Sequence, residues 1–245
     1  MISSVNNKKI KNLIKLKDKK YRDKEGLFLV ETFHLVEEAY NAGVLVEVLV
    51  LSSDKFYDVE TTQVSCEVMN KLSSLDSICN IIGVVKKEKK DNIVGNRILL
   101  LDRIQDPGNL GTIIRSAVAF NISDIILSCD CVDVFSSKVI RSSEGMLFHI
   151  NIVRKDLEKA INIIRNKNIK IYSTDVNFGV NPRKLSYEDK LNFALVVGNE
   201  GSGVSEKIDS LCDIKLHIPM SDKLDSLNVG VCTSILLYEL SDIDE

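Results

Sequence analysis

From Arg97 onward the chain alternates short, continuously apolar runs with helical patterns, and this alternation narrows the possible folds more than any other feature. Residues 98–101, 124–127, 148–153, 169–173, 193–197 and 214–218 read as strands. Leu110, Ile113, Ile114, Ala117 and Val118 fit the i, i+3, i+4, i+7, i+8 template of one helix, 157–164 reads as another, and 229–240 as a largely apolar terminal helix. Strands without polar alternation are buried on both faces, so the pattern predicts an α/β domain built on a mainly parallel sheet covered by helices. Ligands of such sheets bind beyond the carboxyl ends of the strands. Taken alone, the pattern predicts an unknotted, doubly wound sheet.

The first part of the chain is a smaller α/β unit. A short amphipathic helix over 8–20 precedes a strand at 27–30, a helix at 33–42, and strands at 44–51 and 81–85. The run Lys86-Lys87-Glu88-Lys89-Lys90-Asp91 has no apolar periodicity and reads as a linker. The expected organisation is therefore an N-terminal domain at 1–85, a charged linker at 86–96 and a second domain at 97–245. No apolar run reaches membrane-spanning length, and the lysine-rich N-terminus lacks the apolar segment of a signal peptide, which predicts a soluble cytoplasmic protein. Six cysteines without a C-x-x-C, and three histidines (His34, His149, His217) without ligand spacing, predict reduced thiols and no metal site.

The net charge of −3 conceals an asymmetry. Nine basic residues precede Gly26 (Lys8, Lys9, Lys11, Lys15, Lys17, Lys19, Lys20, Arg22 and Lys24), opposed by Asp18, Asp23 and Glu25, whereas 241–245 is acidic. A basic segment of this kind is either a polyanion contact or a solvated helix face.

Three strand ends carry unusual polar loops. After Leu101 comes Asp102-Arg103-Ile104-Gln105-Asp106-Pro107-Gly108-Asn109, with Asn109 placed to cap the helix that carries Arg115. After Val197 comes Gly198-Asn199-Glu200-Gly201-Ser202-Gly203, which lacks the G-x-G-x-x-G spacing of dinucleotide sites. After Ile218 comes a segment through Met220 to Ser226-Leu227-Asn228, where Ser226 or Asn228 can cap the terminal helix. Singly, these are tight turns, helix caps and a solvated arginine.

In order, the strings DPGNLGTIIR, VVGNEGSGVS and IPMSDKLDSLNVGV resemble the three motifs of the SpoU/TrmH-type RNA 2′-O-ribose methyltransferases of the SPOUT superfamily. The resemblance covers 97–240, and RSSEGMLFH at 141–149 is similar to the segment these enzymes carry between the first two motifs. YRDKEGLFLVE at 21–31 resembles their N-terminal RNA substrate-binding domain. The resemblance implies a C-terminal trefoil knot, S-adenosyl-L-methionine as cofactor, a homodimer, and methyl transfer to a 2′-hydroxyl of structured RNA. Ribosomal RNA is the expected substrate; transfer RNA, or a non-catalytic RNA-binding role on the same fold, are the alternatives.

By motif position, Arg115, Asn109, Glu200, Ser226 and Asn228 fall in the catalytic set, with Arg115 the catalytic arginine. Thr174, Gly198, Gly201, Ile218, Met220 and Leu227 fall on the cofactor, chiefly through backbone. RNA contacts are expected at Lys17, Lys20, Arg22, Lys138 and Arg141. Two departures lie in the RNA-facing half: Thr32 stands where many relatives have glycine, and Ser77-Ile78-Cys79-Asn80 replaces a segment that usually contains Pro-Gln-Gly.

Overall fold

The computed structural model describes residues 1–52, 57–75 and 77–241; the acidic residues at 242–245 lie outside them. In the first part of the chain the elements are α1 (Lys8–Lys15), α2 (Lys19–Glu25), β1 (Leu27–Glu31), α3 (Phe33–Asn41), β2 (Leu45–Val50), β3 (Glu60–Gln63), α4 (Cys66–Leu72) and β4 (Ile81–Lys86). There follow β5 (Arg97–Leu101), α5 (Pro107–Ala119), β6 (Asp124–Leu127), α6 (Ser137–Ser142), β7 (Asn151–Arg154), α7 (Leu157–Arg165), β8 (Lys170–Thr174), α8 (Tyr187–Leu191), β9 (Phe193–Val197), α9 (Glu206–Asp209), β10 (Ile214–Leu216) and α10 (Val229–Leu240). Two compact units result. One combines Met1–Lys89 with Asp133–Phe148; the other combines Lys90–Val132 with the chain from His149 onward.

The first unit holds a four-stranded sheet in the order β1-β4-β2-β3, antiparallel except for the β2/β3 pair. Ile10, Leu13 and Leu16 beside α1, with Val68, Met69 and Leu72 of α4, bury against Leu49, Ile82 and Val84 of the sheet. The expected single helix at 8–20 is two helices. Asp18 leaves the helical region (φ −93°, ψ 132°) and its carboxylate accepts from Lys20 N–H, so a second N-cap interrupts the pattern. Arg22 Nη1 bridges the carbonyls of Leu16 and Lys17, 2.8 Å each, and fixes the corner. The segment 133–148, with α6, packs in this unit: Phe28 lies 4.9 Å from Phe135 and 6.3 Å from Phe148 between ring centroids. The strand expected from 148 begins only at Asn151, because Met146–Phe148 forms a 3-10 turn.

Thr32 follows β1 with φ 85° and ψ 150°, a conformation that is almost exclusive to glycine and costs about 1–3 kcal/mol for other residues. Its hydroxyl accepts from Leu35 N–H at the limiting distance of 3.5 Å, so the cap recovers little of that strain. Thr32→Gly is therefore expected to raise the stability of this unit, by about 1 kcal/mol after the entropic cost of glycine is deducted. A urea midpoint that falls in the variant contradicts the strain account.

The second unit is a six-stranded, all-parallel sheet in the order β10-β8-β9-β5-β6-β7. Ile98, Leu100, Ile126, Ile171, Ala194 and Val196 pack on one face against Leu157, Ala160, Ile161 and Ile164 of α7. Helix α10 lies along α5: a Cβ on Gly230 would stand 3.2 Å from Thr112 Cγ2, and Ser116 and Ser234 hydroxyls are 2.6 Å apart. The strand order runs outward from β5 through β6 and β7, then resumes on the other side with β8, while β9 inserts between β8 and β5. That reversal opens the crevice at the carboxyl ends of β5, β8 and β9.

Candidate functional site

The loops after β5 and β9, and the start of α10, meet in a hydrogen-bonded chain at this crevice. The Glu200 carboxylate accepts from the backbone N–H of Gln105 (3.3 Å) and Asp106 (3.1 Å) and from Asn109 Nδ2 (3.0 Å). Asn199 Nδ2 adds a longer contact of 3.4 Å. Asn109 Oδ1 accepts from Asn228 Nδ2 at 2.9 Å, and Asn228 Oδ1 caps α10 by accepting from Gly230 and Val231 N–H. A carboxylate only accepts, so it forces the amide of Asn109 toward it; the Asn109 oxygen then faces the Asn228 amide, whose own oxygen is left for the cap. One acceptor thus orients all three motifs. Burial draws the Glu200 pKa upward, but the Asn109 side chain and the backbone donors outweigh it and hold the carboxyl below its usual 4.5. A depressed folded pKa means that this group contributes stability above about pH 4.5, and that the contribution fades as the pH falls through the folded pKa.

Asn109 is not the cap of α5. Asp106 is: its carboxylate accepts from Asn109 N–H at 2.8 Å, with Pro107 in the first helical position, where no N–H is needed. Asn109 sits in the first turn, which frees its side chain for the chain just described. Arg115, six residues on in α5, is exposed and has no hydrogen bond or ion pair among the described residues.

Beside the chain lies a cavity of about 590 Å³, within the range of small-molecule sites. Thr174, Gly198, Gly201, Ile218, Met220 and Leu227 all line it, as do Glu200 and Ser226. Ser226 lies on the cavity wall and takes no part in the chain; the cap is Asn228 alone. The charged lining is mainly acidic: Asp175, Glu206, Asp209 and Asp225 against Lys215, whose ammonium is 2.6 Å from Asp209. Burial pushes the Cys232 thiol on the wall up to about 11, so it is a neutral lining group.

Residues 96–238 match the SpoU rRNA Methylase family, and residues 7–83 match the MRM3-like substrate binding domain. The chain belongs to the SpoU rRNA methylase family. It is 34% identical over 245 residues, covering 98% of both chains, to the 23S rRNA (guanosine(2553)-2′-O)-methyltransferase RlmP of Bacillus subtilis. It is 38% identical over 154 residues to an uncharacterized tRNA/rRNA methyltransferase of Borreliella burgdorferi, covering 62% of this chain and 65% of that one. Among solved structures, the AdoMet-bound rRNA methyltransferase of Sinorhizobium meliloti superposes with a TM-score of 0.87 at 27% identity, covering 98% of this chain and 96% of that one. AviRb of Streptomyces viridochromogenes, in complex with AdoMet, gives 0.85 at 25% identity over 96% and 97% of the two chains.

Within this SpoU domain, the glycines of the second motif divide by role. A Cβ on Gly198 would stand 2.0 Å from the backbone of Gly203 and Val204, so glycine is required there by the loop folding on itself before any ligand is considered. Gly203 takes φ +65°, which favours glycine for a second reason. Gly201 has ordinary space around it, with only Asn199 Oδ1 at 3.6 Å. Several supports of the site are residues that the motif reading passed over. Asn199 Oδ1 accepts from Gly201 and Ser202 N–H while its amide donates to Arg103 O, and buried Asp102 accepts from Ser205 N–H at 2.8 Å. Arg103 (φ 60°) donates to Gly203 O at 3.3 Å. Asn199 was legible as an Asx-turn residue beside glycine; Asp102 and Arg103 gave no signal beyond their place at a strand end.

The expected RNA contacts fall in the first unit and do not stand alike. Arg22 is 6% exposed, pairs with Asp133 at 2.5 Å and donates to the carbonyls of Leu16 and Lys17, which commits four of its five N–H donors within the fold. Lys17 is exposed but ties Nζ to Ser73 O at 2.8 Å. Arg141 donates to Ser74 Oγ at 2.7 Å, next to the buried Glu31 carboxylate that holds Ser73 and Ser74. Lys20 and Lys138 are exposed on α2 and α6. The Ser77–Asn80 segment places Ile78 in solvent and buries Cys79, whose thiol is raised by burial. All six cysteines are free, and no group of three metal-ligating side chains occurs among the described residues. No helix among them is long and apolar enough to cross a membrane.

Proposed function

We propose that this chain is a cytoplasmic enzyme that transfers a methyl group from S-adenosylmethionine to a ribose 2′-hydroxyl of ribosomal RNA, acting as a homodimer with a trefoil-knotted C-terminal domain. The observation that carries the reading is the Glu200–Asn109–Asn228 chain, which ties the three family motifs together beside a cavity lined by the second and third. The cavity suits the cofactor: its acidic lining favours a sulfonium and ammonium cation, and Ile218, Met220 and Leu227 offer apolar surface to an adenosine. Thr174, Gly198, Gly201, Ile218, Met220 and Leu227 would hold it, and when bound it supplies an electrophilic methyl group.

The remaining work falls to side chains. Glu200, ionised and saturated with donors, is a weak base and acts by fixing the loops. Arg115, always cationic, binds the phosphate beside the target ribose or stabilises the developing alkoxide, while the proton leaves to phosphate or water. Ser226 contacts the ribose from the cavity wall. Holding nucleophile and acceptor near contact supplies several kcal/mol of the barrier.

Glu200→Gln keeps the shape but removes the charge and replaces one acceptor oxygen with an N–H2, which then faces the donors that oxygen held, either Asp106 and Asn109 or Gln105 and Asn199. Charge-assisted bonds of this kind contribute about 1.5–3 kcal/mol each, so methyl transfer is expected to drop roughly 10- to 100-fold. Steady-state kinetics checks this; unchanged turnover refutes the orienting role. The function itself is tested by incubating the protein with labelled S-adenosylmethionine and protein-free ribosomal or transfer RNA, then mapping alkali-resistant positions. One 2′-O-methyl site in ribosomal RNA is the expected result. Label confined to transfer RNA overturns the substrate, and no label in either overturns the reaction.

A further inference from the structure

A second pocket, of about 280 Å³, opens in the first unit between α1, α2 and the start of β1, and no part of the methyl-transfer reading uses it. Its floor is apolar, from Leu13, Leu16 and Leu27, and one wall is Tyr21. The rim carries Asn12, Lys15, Lys24 and Glu25. We propose that this pocket receives one unstacked nucleobase of the RNA substrate, laid against Tyr21, with the flanking phosphates on Lys15 and Lys24. The proposal rests on the RNA reading above.

Each part of the pocket matches a part of a nucleotide. An aromatic wall over an apolar floor is what a base needs once it leaves its stack, and stacking of this kind tolerates any base. The volume is just below that of drug-sized sites, which suits a single base. Lys15 Nζ already lies 5.6 Å from the Tyr21 ring centroid and only 3.4 Å from Asn12 Oδ1, a long contact. A cation held over a half-buried ring near the surface is a weaker contact than a stacked base, so an incoming base displaces Lys15 and leaves its ammonium beside the phosphate. Asn12 then offers one donor and one acceptor to a base edge. Glu25, 3.7 Å from Lys24, keeps phosphate off its own side of the rim. The corner is rigid: Arg22 holds the carbonyls of Leu16 and Lys17 that join the two helices. Lys8, Lys11, Lys19 and Lys20, on the same two helices, are exposed and add positive charge to this part of the unit.

The test uses the full-length protein and a ribosomal RNA transcript with 4-thiouridine substituted through it. Ultraviolet cross-linking followed by peptide mapping is expected to place a cross-link within residues 12–27. Tyr21→Leu, which keeps the wall apolar, is expected to weaken RNA binding about 5- to 100-fold with its salt dependence unchanged. Tyr21→Phe is expected to bind as the wild type does. Lys15→Ala is expected to lower the slope of log affinity against log salt by about 1. A Tyr21→Leu protein that keeps its helical signal and binds RNA normally, or cross-links found only outside 12–27, overturns the pocket. In either case wild-type methylation of the same RNA persists, so failure of the pocket is distinguishable from failure of the enzyme reading, in which no RNA is methylated.

Discussion

Arg115→Lys is expected to methylate RNA about 10²–10³-fold more slowly than the wild type, the loss typical of removing one aligned donor from a developing charge. The substitution keeps the positive charge, so the comparison separates geometry from electrostatics. Guanidinium offers a planar fork of donors that can grip a phosphate and an alkoxide together; ammonium is a point charge on a flexible stem. Arg115 is exposed and has no partner among the described residues, so its replacement leaves folding within about 0.5 kcal/mol of the wild type. It does not line the 590 Å³ cavity either, so affinity for S-adenosylhomocysteine measured by calorimetry is expected to stay unchanged. The signature is therefore a fall in kcat with stability and cofactor binding intact. Near-full turnover in Arg115→Lys removes both roles assigned to this side chain.

The parts of this protein that could be read from its sequence are those whose signal is local. Helix α10 was read at its observed limits, because twelve largely apolar residues follow an Asn that both ends the loop and caps the helix. Strands β5, β6 and β9 were equally plain, since their apolar runs at 98–101, 125–127 and 193–197 are buried and hold no polar residue to blur them. Signals weakened wherever a side chain answered to something distant. Asn109 looked like a helix cap because Asn is a good one, but Asp106 three residues earlier already filled that role. Glu200 reads equally as a catalytic carboxylate or a structural hydrogen-bond acceptor, and the sequence leaves both open because its donors come from residues 91 to 95 positions earlier in the chain. β3 was missed because Glu60–Gln63 is polar throughout and pairs only at the sheet edge, beside β2. Gly198 was assigned to the cofactor through its backbone and does line the cavity, while the loop's own backbone already demands a glycine there, which the sequence could not show.

Arg22 carries the largest expected effect on stability. Among nine basic residues it looked like one more phosphate contact, yet it is the one that the fold draws inside. Its guanidinium reaches Asp133, 111 residues away, by Nη2 at 2.5 Å and Nε at 3.2 Å, while Nη1 holds Leu16 O and Lys17 O. The side chains of Arg22 and Asp133 are 7% and 13% exposed, so this is a buried pair, and breaking one side leaves an uncompensated charge. Arg22→Ala is expected to destabilise the first unit by about 3–5 kcal/mol. Arg22→Lys restores the charge but not four donors in a fixed plane, and falls between the two. Replacing both partners, as Arg22→Met with Asp133→Leu, removes the orphaned charge and is expected to recover most of the loss, since apolar pairs of similar volume often substitute for buried ion pairs. Hydrogen exchange locates the effect: protection should fall together at 16–22 and at 133–148, which this side chain's bonds link. If Arg22→Ala leaves the urea midpoint and the exchange of 133–148 unchanged, the pair is a surface contact and Arg22 returns to the set of residues open to RNA.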